Sequence, residues 1–145
     1  MLRRQFLGLC SAVPALSALS GCSQPLPQIQ SVAPQPSAED WLTLQQQLQG
    51  ELLFSQHAEF QWRGRAANSR YDHKIPALIA RPASSLDVQQ LVRFISRFAL
   101  PFAIRGGGHS YTGLSSTSGV LIDLGLLNQI SLEQEIASIG AGGGR

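Results

Sequence analysis

Residues 75–105 read IPALIARP, then SSLDVQQLVRFISRFAL after one alanine, then PFAIR. This order constrains the fold more than any other feature of the chain. IPALIARP (75–82) is a short apolar run bounded by prolines, the pattern of a strand. In residues 84–100, Val88, Leu91, Val92, Ile95 and Phe98 recur at helical spacing, so one helix face is apolar. Ser84 followed by Asp87 resembles a capping box, with Asp in place of Glu. Pro101 ends the helix, and PFAIR (101–105) is a second strand. A strand, a helix and a strand in this span form a βαβ unit with parallel strands. VLIDL (120–124) is a third predicted strand. IASIGAG (136–142) is a fourth, after a short polar connection. The predicted class is α+β.

Directly after the second strand comes GGGHSYTG, residues 106–113. Three glycines let the backbone approach a ligand with no Cβ in the way. Successive N–H groups in such a loop form a concave anion site. The end of a strand in a βαβ unit is also where α/β proteins bind ligands. A P-loop requires Lys after its last glycine, but Leu114 follows Gly113. A Rossmann loop requires a third glycine where Tyr111 stands, and a helix after it. TGLSSTSG is turn-rich instead, so both common nucleotide loops are excluded by their residues.

Upstream, AEDWLTLQQQLQGELLF (38–54) is a predicted helix. Glu39 and Asp40 suit its first turn, and Trp41, Leu44, Leu48 and Leu52 share a face. Residues 55–74 are polar and irregular. His57 and His73 fall there with no partner at metal spacing, so each reads as a solvated loop histidine and no metal site is expected.

The first 22 residues have the layout of an export signal: Arg3 and Arg4, then an apolar run from Phe6 to Gly21, too short to span a bilayer. Arg3-Arg4-Gln5-Phe6-Leu7 resembles a bacterial twin-arginine signal. Leu19-Ser20-Gly21-Cys22 resembles a lipobox, in which Cys22 would be lipidated and hold the protein at a membrane. The expected location is therefore exported, on the periplasmic or cell-surface side, as a membrane-anchored lipoprotein. Residues 23–37, SQPLPQIQSVAPQPS, read as an extended linker. The only cysteines are Cys10 and Cys22, which excludes a disulfide framework, a Cys-based zinc site and a Cys nucleophile from the remainder. A net charge of +2 with no basic patch argues against a nucleic-acid partner.

The string RGGGHSYTGLSSTSGVLIDL resembles the flavin loop of FAD-binding domains of the p-cresol methylhydroxylase type, especially the berberine-bridge-enzyme-like oxidoreductases. NSRYD (68–72), PALIARPASSLDVQQLVRF (76–94) and the terminal GAG extend the resemblance from about Asn68 to Arg145. It implies an FAD-binding domain of this type over residues 75–145, preceded by a helix-and-loop segment, 38–74. The backbone of Gly106, Gly107, Gly108 and Ser110 would cradle the FAD pyrophosphate. His109 matches the position where many members bond a histidine nitrogen to the 8α carbon of the flavin ring. A neutral imidazole is a competent nucleophile for that attachment. Gly113, Leu114, Gly140, Ala141 and Gly142 match positions that line the flavin. Arg105 would either steady a phosphate or simply end the strand, and Tyr111 reads as a packing residue.

The resemblance implies an oxidoreductase that moves a hydride from an alcohol, sugar or amine-type small molecule to FAD. No catalytic residue is assigned, because the family's bases lie further along than residue 145. The chain is expected to be the N-terminal portion of such an enzyme, its FAD-binding domain incomplete. The alternatives are a non-catalytic truncated lipoprotein that retains only the loop signature, and a different anion-binding module.

Overall fold

The computed structural model describes residues 34–143. The expected export signal and lipobox, with Cys10 and Cys22, and most of the proline-rich segment lie outside the described residues.

A four-stranded sheet forms the frame, in the order β1-β2-β4-β3. Its strands are β1 (Glu51–Leu53), β2 (Leu78–Arg81), β3 (Phe102–Arg105) and β4 (Val120–Asp123). β1 is antiparallel to β2, while β2, β4 and β3 run parallel. The predicted strand–helix–strand unit is present, with α3 (Ser85–Arg97) between β2 and β3. Its two strands are parallel but not adjacent, because β4 lies between them. Leu78 and Phe102 both pair with Val120.

Both sheet faces are covered, and this explains why β2 and β4 are buried at every position. On one face α3 and α1 (Ala38–Gln47) bring Leu44, Leu48, Leu91 and Ile95 against Leu52, Leu78, Ala80, Val120 and Ile122. On the other, Phe60 packs with Leu53, Ile79, Ala103 and Leu121. Phe60 opens a short helix, α2 (Phe60–Gly64), in a stretch predicted to be irregular. Val92, assigned by periodicity to the apolar face of α3, is instead 44% exposed.

The helix predicted over 38–54 stops at Gln47, and its last residues become β1. Two side chains impose the break. The buried Asp87 carboxylate accepts from the amides of Gln49 (3.1 Å) and Gly50 (2.9 Å). Gln45 folds back so that its Oε1 accepts from the Leu52 amide at 2.8 Å. Asp87 also accepts from the Ala83 amide (2.8 Å) and the Ser84 hydroxyl (3.0 Å). The predicted capping box is thus half realised: Ser84 caps the Asp87 amide, but the carboxylate reaches to Gln49 and Gly50, just before β1. A full capping box closes on α1 instead, between Ser37 and Asp40. The Ser37 hydrogen bonds hold the Asp40 carboxyl below the usual carboxylate range.

The fourth predicted strand forms, as β6 (Ile136–Ile139), but outside the main sheet. It makes a hairpin with β5 (Ile130–Glu133), which was predicted as a polar connection. Every residue of both strands is exposed.

A candidate flavin site at the carboxyl end of the parallel strands

β3 and β4 are adjacent and parallel, so the chain between them must return along the sheet. Residues 106–119 make that return without a helix. The glycine loop is the first part of this crossover, leaving the carboxyl end of β3, the end of a parallel sheet where ligands bind.

Gly108 takes φ +83°, the left-handed region that suits glycine. Among the described residues, the amides of Gly107, Gly108 and His109 have no hydrogen-bond partner. They line a cleft of about 470 Å³ together with Arg63, Arg65 and Arg105. No carboxylate is among the described residues that line it. Unpartnered amides beside guanidinium groups fit a pyrophosphate.

His109 is exposed and stands on the rim between this cleft and a second, of about 440 Å³, lined by Asn68, Ser69, Ser110 and Tyr111. A group seated in either cleft would be within reach of its imidazole.

The far end of the loop is held by the NSRYD segment, which forms a 3-10 turn over Ser69–Tyr71. Asn68 Nδ2 donates to the Tyr111 carbonyl at 3.4 Å. The Tyr71 ring lies under Gly113, where an added Cβ would stand 2.5 Å from Cε1. Gly113 has φ +71° and is buried, so it contributes closeness to Tyr71 within the loop. The Ser110 hydroxyl accepts from the Leu114 amide at 3.1 Å. Leu114 is 80% exposed. Tyr111, expected to pack, is 89% exposed, because its neighbours Asn68 and Ser110 engage the loop backbone rather than its ring.

The GAG segment folds back toward the same loop. A Cβ at Gly106 would stand 3.0 Å from the Ala141 carbonyl. The amides of Gly140 and Gly142 donate to Gln129 O and Leu127 O, each at 2.8 Å. The structure therefore brings Gly106 and Ala141 together from segments far apart in sequence.

Arg105 ends β3, as one of its two readings had it, but its side chain turns inward. It is 5% exposed, and its guanidinium donates to four backbone carbonyls. Arg63 and Arg65, which wall the cleft, were not singled out from the sequence. The signal available was WRGR (62–65), two arginines spaced by one glycine. Arg63 Nε bonds Glu59 Oε2 at 2.5 Å, and its Nη1 lies 3.9 Å from Asp123 Oδ2. That hydrogen bond holds the Glu59 carboxyl below its ordinary range.

Residues 76–144 match the family described as FAD binding domain. (R)-6-hydroxynicotine oxidase of Paenarthrobacter nicotinovorans is 31% identical over 98 residues, covering 67% of this chain and 21% of that enzyme. The chain spans about a fifth of the length of this enzyme and of another curated relative it matches. Among solved structures, a variant of berberine bridge enzyme superposes with TM-score 0.63 at 25% identity, covering 73% of this chain and 24% of that one. Glucooligosaccharide oxidase of Acremonium strictum, described with a 6-S-cysteinyl, 8α-N1-histidyl FAD, superposes with TM-score 0.58 at 28% identity, covering 64% and 20%. Residues 76–144 thus match the FAD binding domain family, and the relatives found are named as oxidases and FAD-linked oxidoreductases.

Proposed function

We propose that this chain is the FAD-anchoring part of an exported, membrane-anchored oxidoreductase, and that His109 carries the flavin covalently. The observation that supports this most is the row of unpartnered amides at Gly107, Gly108 and His109, ending in an exposed imidazole on the cleft rim. Those amides would hold the pyrophosphate, with Gly106 and Ser110 shaping the turn on either side. Gly113 and Leu114, and Gly140, Ala141 and Gly142, would wall the flavin. Bound FAD supplies an acceptor for a hydride from an alcohol, sugar or amine carbon. Two relatives frame that range: one is named for a hydroxynicotine, the other for glucooligosaccharides. The histidyl linkage in the description of the second supports the role given to His109. Cys22 would be the lipidated residue and the membrane anchor.

The test uses the full-length protein. Purified wild type should carry flavin absorbance that stays with the polypeptide after acid precipitation. His109→Ala should still bind FAD but release it to the supernatant. Wild type that stays colourless with FAD supplied would sink the reading. Flavin released by acid from wild type would remove the covalent link alone. Cys22→Ala should abolish fatty-acid incorporation and free the protein from the membrane fraction.

A further inference from the structure

We propose that Arg105 is a positioning residue that shapes the flavin loop from beneath. This rests on the FAD reading above for its functional consequence. The guanidinium joins two segments that are remote in sequence. Its Nε donates to Ser115 O (3.1 Å), on the returning arm of the crossover. Its Nη1 donates to Arg63 O (2.6 Å) and Arg65 O (3.0 Å), and Nη2 approaches Gly64 O (3.5 Å). Three successive carbonyls at the end of α2 are thus gathered on one side, and the loop on the other. Gly108 folds over the aliphatic stem of the same residue, its Cβ position 3.5 Å from Arg105 Cδ.

A planar fork of five donors can span such a set, and a lysine ammonium, with three donors at one point, cannot. The unpartnered amides of Gly107 and Gly108 sit between these anchors, so their direction follows from where the fork pins the backbone. The same fork sets the distance from the loop to Arg63 and Arg65 across the cleft. Arg105 carries its charge buried at that base, where a positive charge would also strengthen any anion above it. The two roles, brace and point charge, make different predictions for Arg105→Lys.

The experiment uses the full chain in a His109→Ala background, which keeps FAD binding reversible. Arg105→Lys preserves the charge and removes the fork. The brace predicts that FAD affinity falls at least about tenfold. It also predicts faster amide exchange across 106–115 and 63–66, with β2 and β4 exchange unchanged and the dependence of affinity on salt unchanged. FAD affinity within about twofold of the parent, or unchanged exchange in the loop, overturns the brace. If β2 and β4 also exchange faster, Arg105→Ala decides. Millimolar guanidinium, but not ammonium, should restore loop protection, and no restoration overturns the proposal. The exchange measurements report the brace even if the parent binds no FAD, an outcome that would count against the flavin reading alone.

Discussion

At the scale of single residues, the loop depends on a few backbone positions with no tolerance for a side chain. Gly113 combines φ +71° with the Tyr71 ring directly beneath it. Gly113→Ala should destabilise the protein by roughly 2 kcal/mol or more, combining left-handed strain with a steric clash. Chemical denaturation reads the loss, and flavin retention should fall with it. Tyr71→Ala in the same chain should recover part of the stability, because it opens the space the new methyl needs. In the GGGHS string only the missing Cβ atoms were legible, because they are a property of the glycines themselves. The role of Arg105 was not, because it is defined by carbonyls at 63–65. Nothing in the identity of Arg63 or Arg65 signals that its carbonyl will be needed.

At the scale of elements, the ends of α3 show how local chemistry and tertiary contact share control. The amide of Leu100 donates to Ile95 O (3.0 Å) and that of Ala99 to Ser96 O (3.3 Å), a Schellman closure. Its left-handed position is held by Ala99, at φ +49°. Ala99→Gly should therefore raise stability by about 0.5–1 kcal/mol, measured as a higher denaturation midpoint. A neutral or destabilising result would mean that the alanine is relaxed there. This helix and its flanking strands were predictable because apolar spacing, a serine cap and Pro101 all agree. The end of α1 was not. Leu52 continues the helical spacing of Leu44 and Leu48, yet it reaches the same core from a strand. Periodicity cannot separate those two routes to one core.

At the scale of the whole molecule, Asp87 is the tie between distant parts. Burial opposes its ionisation, but amide bonds from Ala83, Gln49 and Gly50 and the Ser84 hydroxyl outweigh it and lower its pKa. Its stabilising contribution is present above the unfolded aspartate value of about 3.9 and is lost as pH falls through the lower folded value. Asp87→Asn should cost about 1–3 kcal/mol at neutral pH. It should also flatten the acid limb of a stability–pH curve below about pH 4; an unchanged limb would assign acid sensitivity to other carboxylates. The core and the hairpin should respond differently to truncation. Leu121→Ala, between two covered faces, should cost about 2–5 kcal/mol. Leu132→Ser, on the exposed hairpin, should stay within about 0.5 kcal/mol.

By itself the sequence determined the elements from Leu78 to Asp123 and the close backbone approach that three glycines permit. Both arise from short-range causes: apolar spacing, prolines, caps and the missing Cβ. Tertiary structure decided the strand order and the break after Gln47. It also decided the hairpin's separation from the sheet and the inward turn of Arg105. Each of these depends on hydrogen bonds or packing between residues far apart in the chain, where local pattern carries no information about the partner.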